Sequence, residues 1–209
     1  MKNIYIILFL VFGALVLFNF RFLNIHLLSI YSIDEYAYHG SLINMYDGLI
    51  NFDLRKFFSF GFYSYGFIFF LFNLILTAPF IYTDNIEMVI YLPRILNSLF
   101  AVGSLLIIYK ICKIYIKEFS SILIVIFTIT MPGFWKNSLW FHPDWMMTFF
   151  VIYSIYYFIL DSWSFKKYFW YSSILFGFGL STKIQAITFL PFVLTFIFYE
   201  NIQNLNFTG

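Results

Sequence analysis

Apolar side chains fall along this chain in seven runs separated by short polar breaks: residues 4–20, 62–82, 89–109, 121–134, 145–160, 168–180 and 184–199. A helix rising 1.5 Å per residue needs about 20 such residues to cross a bilayer core. The pattern predicts an all-α polytopic membrane helix bundle of about six spans, with residues 1–209 forming one transmembrane domain. No internal repeat, low-complexity linker or soluble domain interrupts it. The first run follows Lys2 as in a signal sequence. However, Asn19-Phe20-Arg21-Phe22 is bulky throughout and offers no small-x-small cleavage site, so the run reads as an uncleaved first span.

The run 62–82 is long enough to cross, but charge argues that it does not. If it crossed with Lys2 in the cytosol, Lys110, Lys113, Lys117, Lys166 and Lys167 would all lie outside, inverting the usual bias. If it lies in the interface or re-enters, those lysines become cytosolic. Asp34-Glu35, His142-Pro143-Asp144 and Ser181-Thr182-Lys183 then share the outer side. The predicted order is span 4–20, a long outer loop 21–87 carrying a membrane-lying helix, then spans 88–109 and 119–134. An outer loop 135–144 leads to span 145–160, and two short runs, 168–180 and 184–199, meet at Lys183. The Gly, Ser and Tyr content of 60–66 suits an interfacial entry.

Composition narrows the class. With 62% apolar and 11% charged residues, the chain is too apolar for a water-soluble domain. The 32 Phe and 17 Tyr partly reflect AT-rich coding. A net charge of +2 gives no footing for nucleic acid. Cys112 stands alone, which excludes an internal disulfide and a cysteine-based zinc site.

Candidate chemistry concentrates in the polar stretch Ser32-Ile33-Asp34-Glu35-Tyr36-Ala37-Tyr38-His39-Gly40. Two adjacent carboxylates beside a span are costly unless they meet water, a metal ion or a cation. The stretch reads as a helix start, with Ser32 as cap and Glu35 completing a capping box, both acids facing the positive helix end. On that reading Glu35→Gln is mild, since Gln still completes the box. A cap alone leaves the clustering of Asp34, Tyr38 and His39 at helical spacing unexplained.

His142-Pro143-Asp144 opens the span 145–160, and a Pro and an acid at a helix start are also ordinary structural features. Its proximity in topology to Asp34 gives it weight: carboxylates on different helices can hold a divalent cation, or act as base and positioner. Arg94, after Pro93 in an apolar run, either snorkels or binds a lipid phosphate through its two-pronged guanidinium. Lys183 carries the same two readings, and Gly177 and Gly179 before it permit close helix packing.

An acidic Asp-Glu pair in the first outer loop, a Pro-Arg opening of the next span, a His-Pro-Asp at the second outer loop and a Gly-x-Gly-x-x-Thr-Lys turn occur here in that order. In this the chain resembles the integral-membrane GT-C glycosyltransferases. It is most similar to their polyprenyl-phosphate-dependent branch, which includes protein O-mannosyltransferases, aminoarabinose transferases and related lipopolysaccharide-decorating bacterial enzymes. The resemblance covers roughly residues 1–200.

It implies inverting transfer of a sugar from a polyprenyl-phosphate donor to a hydroxyl acceptor, at the extracytoplasmic face of a bacterial inner membrane. By position, Asp34 would be the catalytic base or a metal ligand, Glu35 its support and Asp144 the second acid. Arg94 and Lys183 would contact phosphate, with Tyr38, His39 and His142 completing the substrate site. A divalent metal, Mg or Mn, held by Asp34 and Asp144, is a further implication. Family members continue through more spans, so the chain is expected to be the N-terminal part of a longer protein. Rival readings are a transporter or lipid flippase, against which the acids cluster at one face and no inverted repeat is visible, and a non-catalytic membrane subunit.

Overall fold

The computed structural model of the chain describes residues 2–20, 33–60, 65–162 and 165–191. Ser32, Arg21, the 61–64 stretch and the end of the last apolar run, 192–199, lie outside the described residues. Among the described residues nine α-helices follow in order: α1 (Lys2–Phe20), α2 (Ile33–Ile50), α3 (Leu54–Phe57), α4 (Phe67–Tyr82), α5 (Ile86–Tyr115), α6 (Glu118–Thr130), α7 (Pro132–Ser138), α8 (Asp144–Asp161) and α9 (Lys167–Thr182). A short 3-10 helix covers Ile184–Phe189. The fold is all-α, with no strand among the described residues.

The axis of the bundle is α5, whose 30 residues reach about 45 Å at the helical rise. Asn85 starts it, its side chain accepting from the Met88 N–H. Rings and polar pairs fix its neighbours' directions. Phe100 meets Phe149 and Phe150, and Lys110 lies over the Tyr156 ring, so α8 runs parallel to α5. Ser154 bonds Ser172 and Phe150 meets Phe178, so α9 returns antiparallel along α8. At the other side Asn19 reaches Ser98, while Tyr109 donates to Glu118 at the far end, so α1 and α6 also run antiparallel to α5. One end of the bundle thus carries Lys110, Lys113 and Lys117 on α5 and its following turn, with Lys166 and Lys167 at the start of α9. The other end carries Glu35, Arg94, Asp144 and Lys183.

Helix length and apolarity qualify Asn3–Phe20 and Ile86–Tyr115 as membrane spans, with a third if α6 and α7 count as one span bent by 68°. Pro132-Gly133 makes that bend: the expected run 121–134 stops at Thr130, and Pro132 opens a new short helix. The expected span 145–160 and the short run 168–180 appear as helices α8 and α9, of 18 and 16 residues, neither of which is among the helices that qualify as spans. The two acids of α8 fall at its ends, where Asp161 serves α9: its carboxylate accepts from the Lys166 and Phe169 N–H groups. That supplies acceptors for donors at the start of α9 that have no intrahelical partner.

The ambiguous run becomes α4. It forms a helical hairpin with the first half of α5 and packs also on α2 and α9. Phe72 touches Phe100, and the Asn85 N–H donates to the Phe80 carbonyl across the turn. Single cysteines at Ser59 and Thr83, before and after α4, should therefore both be labelled by an impermeant reagent from one side of the membrane. Labelling from opposite sides would send α4 across and reverse every later element.

Candidate functional site

A stripe of polar residues on α5, Arg94, Asn97 and Ser98, interrupts the apolar face at helical spacing and is buried. Each spends its donors on a partner outside α5. Asn97 Nδ2 donates to the Asn137 and Trp140 carbonyls at 2.8 and 2.7 Å, and Ser98 Oγ donates to the Ser138 carbonyl at 2.8 Å. Arg94 Nε and Nη2 donate to Glu35 Oε1 and Oε2 at 2.9 and 2.7 Å. Glu35 Oε1 also accepts from the Phe141 N–H at 2.8 Å. The carboxylate and the guanidinium belong to residues only 1% and 3% exposed, which makes this a two-pronged ion pair shielded from water.

That geometry changes two of the sequence expectations. Glu35 does not serve merely as a cap: its carboxylate binds α2 to both α5 and the segment before α8. Arg94 is not offered to a phosphate through these two nitrogens, since they are committed to Glu35. Replacement of Glu35 by Gln is accordingly no longer a mild change. The neighbouring acid, Asp34, is exposed at the first turn of α2.

Asp144 starts α8 and is held by a lysine and an imidazole. Its Oδ1 accepts from Lys183 Nζ, and its Oδ2 lies 3.0 Å from His142 Nδ1. Burial pushes the Asp144 carboxyl upward, but the hydrogen bonds and charges of His142 and Lys183 outweigh it and bring it down to about 2. Lys183 also lies over the Tyr65 ring, 5.3 Å from its centroid. Tyr65 in turn stands edge-on to Tyr38 and His142, at 5.4 and 5.7 Å. Tyr38 is fully buried against Phe69, Phe70 and Phe141. Burial, the adjacent Tyr65 and the charges of Asp34 and Asp144 all push its phenol far above the ordinary value.

Of the residues singled out from sequence, Asp34, Glu35, Tyr38, Arg94, His142, Asp144 and Lys183 gather at this end of the bundle. His39 does not join them; it lines a separate cavity described below. Sequence reasoning missed Tyr65, Gly66, Asn97 and the Phe141 amide. The signal for Asn97 was present, as a polar residue one turn past Arg94 in an apolar run. For Gly66 nothing in the sequence pointed to its partner: its N–H donates to the Thr182 carbonyl at 2.8 Å, next to an antiparallel bridge between Tyr65 and Lys183. A Cβ on Gly66 would sit 1.9 Å from the Ser181 carbonyl oxygen, so only glycine permits this approach. Gly66→Ala should lower stability by about 1–3 kcal/mol. Gly40→Ala, where a Cβ meets nothing within 4 Å, is the control for denaturant titration in detergent.

A model of the dolichyl-phosphate-mannose-protein mannosyltransferase family matches residues 67–207, more than half of the chain. The chain belongs to this family. No curated protein and no solved structure matches it. Membership of the mannosyltransferase family, with the apolar helices, makes the chain an integral membrane protein of glycosyltransferase type. The family match contains Arg94, His142, Asp144 and Lys183, whereas Asp34 and Glu35 lie upstream of it. The ion pair between Glu35 and Arg94 is thus what ties the upstream acids to the matched part of the mannosyltransferase fold.

The metal expectation rests on Asp34 and Asp144. Asp144 already meets Lys183 and His142 on its two oxygens, and no group of three or more His, Cys, Asp or Glu stands together among the described residues. Divalent cations of the Mg or Mn kind want several oxygen ligands and little competing positive charge. The donor set does not fit one, and no step below is routed through a metal.

Proposed function

We propose that the chain moves a sugar from a polyprenyl-phosphate donor to a hydroxyl acceptor, with inversion, at the extracytoplasmic membrane face. The observation that carries this reading is the family match over the Lys183–Asp144–His142 cluster, with the Glu35–Arg94 pair beside it at the same end of the bundle. Asp34 is exposed and Asp144 is paired with Lys183, so the two acids have different work.

The acceptor hydroxyl gives its proton to the Asp34 carboxylate as its oxygen attacks the anomeric carbon. The bond from that carbon to the phosphate oxygen breaks on the opposite face, and the lipid phosphate departs with the electron pair. A phosphate is a good leaving group, so no strong acid is required. Lys183 stabilises the negative charge that develops there, in a site walled by Tyr38, Tyr65 and Phe141 where such charges interact strongly. Asp144 and His142 hold the Lys183 ammonium in place. Glu35 and Arg94 act as positioning residues, fixing the first turn of α2 against the segment that presents His142.

The extracytoplasmic face is supported by the far end of the bundle, where Lys110, Lys113, Lys117, Lys166 and Lys167 gather as cytosolic flanks do. The test is transfer by the chain in nanodiscs, given labelled polyprenyl-phosphate mannose and a hydroxyl-bearing acceptor lipid. Label should pass to the acceptor in a form that has lost the phosphate. A folded preparation that moves no label from any polyprenyl-phosphate sugar overturns the reading.

A further inference from the structure

A second cavity, of about 210 Å³, opens where the end of α4 and the turn into α5 pass α2. Its chemistry differs from that of the site around Lys183. Tyr46 and Tyr82 supply aromatic surface, Asp47 and Asp84 carboxylate oxygens, Asn85 an amide and His39 an imidazole. It lies beyond the first turn of α2, since His39 is about 7.5 Å along the helix axis from Asp34.

The lining excludes several ligands by class. An anion would face two acids, and the cation bonded at one of them, Lys56, is already spent on Asp47 at 3.0 Å. A lipid tail would bury the same acids against hydrocarbon. A divalent cation would need more ligands than stand together here. With Asp47 already neutralised by Lys56, the aromatic faces, amide and imidazole suit a compact molecule with apolar C–H faces and several hydroxyls. The volume is below the range of drug-sized pockets, which suits one ring of about a dozen heavy atoms.

Two of the polar groups have nothing else to do. The side chains of His39 and Asp84 make no hydrogen bond or ion pair among the described residues. Burial holds the His39 imidazole below its ordinary pKa, so at neutral pH it offers one N–H donor and one acceptor. Asp84 sits in a left-handed conformation, φ 51°, in the turn that forms the cavity wall. Asp, Asn and Gly accept that backbone best, and such positions cluster at ligand sites.

We infer that this cavity between α2 and the α4–α5 turn is a binding site for a single sugar residue, separate from the site at Lys183. Such a residue belongs to the acceptor rather than to the donor's own headgroup.

Saturation-transfer NMR on the full chain in nanodiscs, with methyl α-mannoside as probe, tests it. The wild-type chain should transfer saturation to the sugar. Ile43→Trp, at a partly exposed wall position, should fill the cavity and remove the signal. Asp84→Asn keeps the left-handed backbone and should weaken the signal about tenfold, the worth of a hydrogen bond to a charged group. Asp34→Asn, which stops transfer under the proposed function, should leave the signal unchanged, so the two readings fail separately. Excess polyprenyl phosphate should also leave it, which assigns the sugar to the acceptor side. Displacement by that lipid places the probe at the donor site and overturns the inference. So does a wild-type chain with no signal, or one whose signal survives both cavity variants.

Discussion

Replacing Asp34 by Asn should cut sugar transfer by roughly 10²- to 10⁴-fold, the usual worth of a positioned general base. Asp34 is exposed on the first turn of α2, where Asn serves a helix start as well as Asp does. The pair beneath it joins Glu35 to Arg94, and Asn keeps the Asp34 side chain's shape and its oxygen acceptor. The variant should therefore insert and unfold like wild type and differ only in turnover. Single-turnover transfer from a labelled donor, with a denaturant titration alongside, reads both. Wild-type turnover would remove Asp34 from the mechanism. A joint loss of turnover and stability would make it a structural acid instead.

The second large effect falls one residue later and on a different property. Glu35→Gln leaves the Arg94 guanidinium buried without its counter-charge, and breaking a buried pair in this way costs about 3–5 kcal/mol. Removing both partners, as Glu35→Leu with Arg94→Met, should recover most of that loss, because the desolvation of two charges disappears as well. A double-mutant cycle in detergent-solubilised chain measures the coupling. If Glu35→Gln alone is as stable as wild type, the pair does not hold α2, and the positioning role assigned to it fails.

The two variants show what the sequence made legible and what it did not. Apolar runs located the helices well, because the distance across a bilayer and the helical rise leave little freedom in length. The break between α6 and α7 was readable in principle from Pro132-Gly133, but a run count alone passes over it. The chemistry was half visible. Asp34, Asp144 and Lys183 stood out as charges in an apolar chain, and topology suggested a common face.

What topology could not give was pairing. Arg94 is 59 residues from Glu35, and either a lipid phosphate or a carboxylate would satisfy it equally in sequence. Only packing decides between them. The same holds for Gly66, whose need to be glycine comes from the Ser181 carbonyl, more than a hundred residues on. His39 shows the opposite error: helical spacing put it beside Tyr38, but the two side chains leave α2 in different directions, one into the core and one into the second cavity.

The Glu35 carboxylate also sets an order of assembly. Its third hydrogen bond comes from an amide 106 residues downstream. At ribosomal speeds of about 5–20 residues per second, that amide is made roughly 5–20 s after Glu35. Until then α2 has no complete seat, and its carboxylate has to stay in water or in the care of an insertion factor. The end of the molecule that holds Glu35 and Arg94 therefore closes late in biogenesis, after α1 and α5 have been made.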